Sequence, residues 1–151
     1  MSVSNYHIRS YNKNDQKEII DIFLKNTPQF FALAELKDLE YYLNNEIEYY
    51  YVIEFENRII GSGGINFPDS LMIARLSWDI INPDFQGLGF GQKLLKHRID
   101  IIKKLNTANQ VEVRTSQFDY KFYEKMGFNI IFTETDYWAK GIDLVYMSKN
   151  I

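Results

Sequence analysis

The sequence has no cysteine at all, and only two histidines and three prolines among its 151 residues. Without cysteine there is no disulfide framework, no thiolate nucleophile and no Cys-based zinc site. His7 and His97 lie too far apart in sequence to suggest a histidine-based metal site or triad, so no metal is expected. No uninterrupted apolar run approaches the length needed to cross a bilayer. The first residues, Met1–His7, lack the basic region and apolar core of a secretory signal, and a cytoplasmic protein is the expectation. The formal net charge is −3, which argues against a nucleic-acid binder that works by bulk electrostatics. Membrane and nucleic-acid partners are therefore not expected. A local cationic patch for an anionic ligand is not excluded.

What is present is ordinary in bulk, with 46% hydrophobic and 25% charged residues, as in one globular domain able to bury a core. It is not ordinary at Asn82–Gln92. There a β-prone run stops at Asn82-Pro83, three alternating glycines follow (Gly87, Gly89, Gly91), and a long helical pattern begins. Glycine lets backbone N–H groups approach an anion without Cβ interference. A helix N-terminus adds unsatisfied donors and partial positive charge. A turn needing glycine for its geometry alone would read the same way, and isolated glycine motifs mislead. Lys93, Lys96 and Arg98 follow on the helix, as phosphate contacts or as a solvated face.

Around this loop the periodicities predict a β strand at Tyr6–Ser10 and a helix capped by Asn14 or Asp15 and running to about Asn26. Ile19, Ile20, Phe23 and Leu24 form its apolar side. A second helix spans roughly Ala34–Asn44, with Leu36, Leu39, Tyr42 and Leu43 on one side and Glu35, Asp38 and Glu40 on the other. Tyr49–Phe55 and Arg58–Ile65 read as a hairpin turning at Glu56-Asn57. Gly61, Gly63 and Gly64 suggest a bulge or a close approach by another backbone in its second strand. Leu71–Ile81 is the next strand. A helix with the stripe Leu94, Leu95, Ile99, Ile102 and Leu105 ends at Asn106–Asn109. Gln110–Thr115 is a strand, and Ser116–Asp119 reads as a capping box opening a helix through Tyr123 that Gly127 ends. Asn129–Trp138 and Ile142–Ser148 are the last strands. This order predicts an α/β (α+β) domain over residues 1–151, a mixed sheet covered by helices.

The loop lacks the Gly-Lys-Ser/Thr ending of a nucleoside-triphosphate loop and the spacing of a dinucleotide fingerprint. Gln86-Gly87-Leu88-Gly89-Phe90-Gly91 does match Gln/Arg-x-x-Gly-x-Gly/Ala. Phe122-Tyr123-Glu124-Lys125-Met126-Gly127-Phe128 is a second signature downstream. On these two motifs and the element order, the sequence resembles the GNAT superfamily of acyl-CoA N-acetyltransferases over nearly its whole length. The resemblance implies a mostly antiparallel sheet of six to seven strands with about four helices, and acetyl-CoA as co-substrate. It implies that backbone amides of Gln86, Gly87, Leu88, Gly89, Phe90, Gly91 and Gln92 cradle the CoA pyrophosphate. Asp79, Ile80 and Ile81 would pair with the pantetheine arm where their strand parts from Gln110–Thr115. An amide near Ile81 would polarise the thioester carbonyl. Ser116 stands where many relatives place a CoA-contacting Asn, and it reads equally well as a helix cap.

Acetyl transfer needs a neutral amine and a proton for the departing thiolate. Tyr123 stands at the family's general-acid position, and a phenol near its reference pKa of ~10 suits a thiol leaving group. Packing alone would also explain a tyrosine there. The strand position that carries a carboxylate base in some relatives is Arg75 here, so Asp79, Glu35 or a water relay become the candidate bases. The resemblance places the acceptor among Phe30, Phe31, Ala34, Glu35 and the Tyr137-Trp138 region. Aromatic walls with carboxylates suit a small cationic amine, which makes a small-molecule primary amine the leading acceptor, acetylated directly in a ternary complex. A protein N-terminus or lysine is the alternative. A CoA-binding regulatory module without turnover is the rival from another class, and a homodimer is left open.

Overall fold

The computed structural model describes residues 5–151. Seven strands form one sheet in the order β1-β2-β3-β4-β5-β7-β6. They are β1 (Tyr6–Ser10), β2 (Tyr49–Phe55), β3 (Arg58–Asn66), β4 (Ile73–Ile81), β5 (Gln110–Thr115), β6 (Asn129–Ala139) and β7 (Ile142–Asn150). Every adjacent pair is antiparallel except β4 and β5. Among the described residues the four α-helices are α1 (Gln16–Lys25), α2 (Leu36–Asn45), α3 (Phe90–Leu105) and α4 (Tyr120–Lys125). No helix among the described residues is long and apolar enough to cross a membrane.

Alternation along the strands sorts the core into two layers, because successive side chains of a strand point to opposite faces. Tyr50 and Val52 of β2 pack with Ile19, Ile22 and Phe23 of α1 and Leu39, Tyr42 and Leu43 of α2. On the opposite face, Tyr51 joins Leu94, Leu95 and Ile102 of α3, Tyr123 of α4, and the inward residues of β4, β5 and β7. A two-residue turn closes the β2–β3 hairpin with Glu56 and Asn57 both at positive φ, 53° and 62°, the twist that matches flanking strands.

The helix faces differ from the periodicity reading at two places. On α1 the buried residues are Ile19, Ile22 and Phe23, while Leu24 is 39% exposed. Asn26 sets this rotation: its side-chain amide donates to the Ile22 carbonyl at 2.8 Å and to Ile81 of β4 at 3.1 Å, which turns positions 19, 22, 23 and 26 inward together. Glu35, expected on the solvent side of α2, is instead buried. It ends a 3-10 turn at Leu33–Glu35 and accepts the Ala32 N–H at 2.8 Å. The capping box expected at Ser116–Asp119 is also not formed as such. Ser116 Oγ accepts from Phe118 N at 3.2 Å, and the Asp119 side chain makes no cap bond.

Candidate active site

The site begins where the sheet fails to pair. Strands β4 and β5 run in register from Ile73–Gln110 to Leu76–Val113 and no further. Beyond that point the strands part, leaving backbone polar groups that a ligand can satisfy. A cavity of about 710 Å³ opens in the gap. Its walls include Ser77, Trp78 and Asp79 of β4 and Arg114, Thr115 and Ser116 at the end of β5.

A β-bulge in β4 determines which side chains reach this gap. Ser62 pairs with Ile80 and Gly64 with Ser77, so Trp78 and Asp79 together face the single residue Gly63. Trp78 takes φ 49°, a conformation disfavoured for a bulky residue. It is held there by its carbonyl 3.0 Å from the Tyr50 hydroxyl and by its ring, stacked on Phe31 at 6.2 Å between centroids. The extra residue reverses the alternation. Ala74 and Leu76 pack in the layer of α3 and α4, whereas Ile80 packs in the layer of α1 and α2. The same reversal delivers Asp79 to the face carrying α3 and α4.

There Asp79 meets two partners. Its Oδ2 accepts the Tyr123 hydroxyl of α4, and its Oδ1 accepts from Nη1 of Arg98 on α3. Arg98 is 1% exposed and also donates to the Gly64 carbonyl at 3.1 Å and to Leu94 at 3.3 Å. Gly63 is what makes room. A Cβ there would lie 2.6 Å from Asp79 Oδ1 and 2.9 Å from Arg98 Nη1. Burial pulls the guanidinium's pKa down, and the charge and hydrogen bond of Asp79 more than reverse it, so the pair is an ion pair. Burial, then the negative charge of Asp79, holds the Tyr123 phenol well above its ordinary pKa.

Downstream, Pro83–Phe85 form a 3-10 turn after Asn82, whose side chain accepts the Asp84 N–H at 3.0 Å. Gly87 and Gly89 follow at φ 79° and 89°. A Cβ at either would meet nothing within 4 Å. Backbone conformation, not crowding, therefore demands glycine here, just before α3 begins at Phe90.

On the other side of the gap, Phe30, Phe31, Glu35 and Trp138 all line the same cavity as Asp79, Tyr123 and Ser116. Trp138 is tied to β5 through its indole N–H, which donates to the Thr115 carbonyl at 3.1 Å. The wall also includes Glu46, Glu48 and Asp119 against two arginines, Arg75 and Arg114. Both arginines are engaged: Arg75 pairs with Glu112 at 2.7 Å, and Arg114 donates to the Tyr137 hydroxyl and sits over the rings of Tyr137 and Trp138. Burial raises the pKa of Glu35 against the lowering effect of the Ala32 N–H. Asp119 is exposed to solvent on the cavity wall, and its pKa is also raised, by the surrounding protein first and the charge of Asp79 second.

Among the residues not singled out from the sequence for the site, two bear on its chemistry. Arg98, grouped there with Lys93 and Lys96, is the buried member of the three. Its spacing from Leu94, Leu95 and Ile102 puts a charge in the inward stripe of α3, which was the available signal. Asp119 was read as a capping residue only, and nothing local distinguishes it.

The family model for the acetyltransferase (GNAT) domain matches residues 13–151. Among solved structures, the ribosomal-protein-S18-alanine N-acetyltransferase of Escherichia coli is 19% identical, with 97% of this chain and 94% of that one covered and a TM-score of 0.76. Ard1 of Thermoplasma volcanium is 16% identical, with 98% and 99% covered and a TM-score of 0.79. An aminoglycoside 6'-N-acetyltransferase complexed with coenzyme A is 12% identical, with 95% and 96% covered and a TM-score of 0.76. No curated protein sequence is significantly similar to this chain.

Proposed function

The chain belongs to the GNAT acetyltransferase family, and from that premise we propose that it transfers an acetyl group from acetyl-CoA to the primary amine of a small molecule, directly, in a ternary complex. The observation that carries this reading is the cavity at the β4–β5 divergence. It joins Tyr123 and Asp79 of β4, next to the strand end expected to hold the thioester, to aromatic and acidic walls suited to an amine.

The amides from Gln86 to Gln92 would hold the pyrophosphate, and the unpaired edge of β4 through Ile80 and Ile81 would hold the pantetheine arm. Ser116 lies at the cavity wall, within reach of the same arm. When bound, the co-substrate supplies an activated acyl group and a thiolate leaving group. Tyr123 donates its proton to that thiolate. Its raised pKa keeps it in the protonated form needed for this, and its single O–H hydrogen, which rests on Asp79, would turn to the sulfur as negative charge develops there.

Five carboxylates (Glu35, Glu46, Glu48, Asp79 and Asp119) and two engaged arginines line the cavity, so the excess charge favours a cationic acceptor. Phe30, Phe31 and Trp138 supply ring faces that attract an ammonium. This supports an ammonium-bearing acceptor, of which a small-molecule amine is the one proposed.

The experiment is thiol release from acetyl-CoA with a panel of small amines, N-terminal peptides and lysine peptides. Release with small amines and little with peptides is expected. Release with peptides alone would replace the acceptor class. Binding of acetyl-CoA with no release from any acceptor would favour the regulatory module.

A further inference from the structure

The carboxylates named from the sequence as candidate bases are both committed elsewhere. Each oxygen of Asp79 accepts a hydrogen bond, one from Arg98 and one from Tyr123. Protonating it would leave a buried guanidinium without its counter-ion, which is costly. Glu35 is bound to the Ala32 N–H and closes the turn that leads into α2.

Asp119 is in a different position. It occupies the N-cap of α4, where an aspartate ordinarily accepts a helix N–H, and its side chain does not do so. The local backbone is satisfied without it, since Asp119 N and Tyr120 N both donate to the Ser116 carbonyl, at 3.2 and 3.0 Å. The carboxylate is instead open to the cavity that holds Tyr123, one helical turn further along, and Asp79. Phe118, beside it, packs edge-on against Phe30 at 6.1 Å, which joins this turn to the acceptor side.

We propose that Asp119 is the general base, taking a proton from the acceptor's ammonium so that the neutral amine can attack. The proposal rests on the acetyltransfer reading above. The proton balance is complete. A protonated primary amine carries three N–H protons and the amide product keeps one. Asp119 takes the first and releases it to solvent. The second leaves the nitrogen as the C–N bond forms and the C–S bond breaks, and Asp119 takes it too. Tyr123 protonates the departing sulfur, and Asp119 returns this second proton to Tyr123.

The groups facing Asp119 bear on how it titrates: Tyr123 on its own helix, Asp79 on β4 with Arg98 behind it on α3, Glu35 across the cavity and Arg114 on β5. The surrounding protein first, and then the negative charge of Asp79, favour the protonated form of this solvent-exposed carboxyl, the direction in which its pKa is raised. That moves the carboxyl toward the pH at which a base is most useful.

The test compares Asp119→Asn and Asp119→Glu with wild type, using phenethylamine and its isostere O-benzylhydroxylamine as acceptors. The first is almost wholly ammonium at pH 7 and the second is already neutral there. Asp119→Asn is expected to lower kcat/KM for phenethylamine by about 10²-fold at pH 7, a typical effect of losing a general base. The loss should shrink steadily toward pH 10. It should be far smaller for the alkoxyamine, and Asp119→Glu should restore part of the phenethylamine rate. An unchanged thermal shift with acetyl-CoA shows that the variant is folded with its cofactor site intact. An equal loss for both acceptors, flat with pH, would overturn the proposal and make Asp119 a binding or structural group. Failure of the wild type to release CoA with either acceptor would overturn it as well, and a retained acetyl-CoA shift would then place the fault in the acetyltransfer reading.

Discussion

Replacing Arg98 by methionine keeps most of the side chain's volume and removes its charge, so it isolates the electrostatic role of the buried residue. Arg98 is 1% exposed and serves Asp79 and the carbonyls of Gly64 and Leu94. Losing one partner of a buried ion pair costs about 3–5 kcal/mol, because the remaining charge keeps its desolvation penalty. The Asp79 side chain retains 22% exposure, so water relieves part of that penalty and the lower end, about 3 kcal/mol, is expected. For a domain of this size 1 kcal/mol moves Tm by roughly 2–4 °C, which gives a drop of roughly 6–12 °C. Asp79→Asn removes the stranded charge while keeping an acceptor for Tyr123. Combined with Arg98→Met it should cost less than the sum of the two, with a coupling energy of about 2 kcal/mol. Thermal and urea unfolding of the four proteins of this cycle measure it. An Arg98→Met protein within about 2 °C of wild type, or an additive cycle, would refute the account of Arg98 as the counter-ion that holds Asp79 in place.

Other substitutions probe the remaining parts of the site. Tyr123→Phe should lower kcat by about 10²–10³-fold with little change in acetyl-CoA affinity, read from thiol release and from titration of the cofactor; an unchanged kcat at every pH would remove Tyr123 from the chemistry. Gly89→Ala places a Cβ at φ 89°, a strain of about 1–2 kcal/mol, and should weaken acetyl-CoA binding by about 10-fold in calorimetry while leaving an empty cavity wall unchanged. Glu35 has a native pKa raised above its ordinary 4.5, so between that value and the native one the folded protein binds more protons than the unfolded chain. Its contribution to stability is therefore lost as pH rises through that window. Glu35→Gln, whose amide oxygen can still accept the Ala32 N–H, should gain on wild type in urea unfolding as pH goes from 4 to 7, and a constant difference would contradict the raised pKa.

The loop from Asn82 to Gln92 was legible because its requirements are local. The φ values of Gly87 and Gly89 are properties of consecutive residues, and the helix that follows carries its own periodicity. Tyr123 was legible for the same kind of reason, lying in a short signature on one helix. The hairpin turn at Glu56-Asn57 and the close approach around Gly63 also left marks in neighbouring residues. Asp119 left none, since a cap residue that caps and one that does not are the same letter in the same context.

By itself, then, the sequence determined the element order, the glycine cradle and the position of the phenol, all of which depend on interactions within a few residues. Only the tertiary structure decided what Asp79 does. Its face of the sheet depends on one extra residue opposite Gly63, which inverts every side chain beyond it. That single inversion carries Asp79 to Arg98 and Tyr123, on two helices that follow it in the chain. The walls of the cavity were decided in the same way. The α1–α2 connection and the end of β6 meet across the divergence of β4 and β5, and long-range packing, not local preference, brings them together.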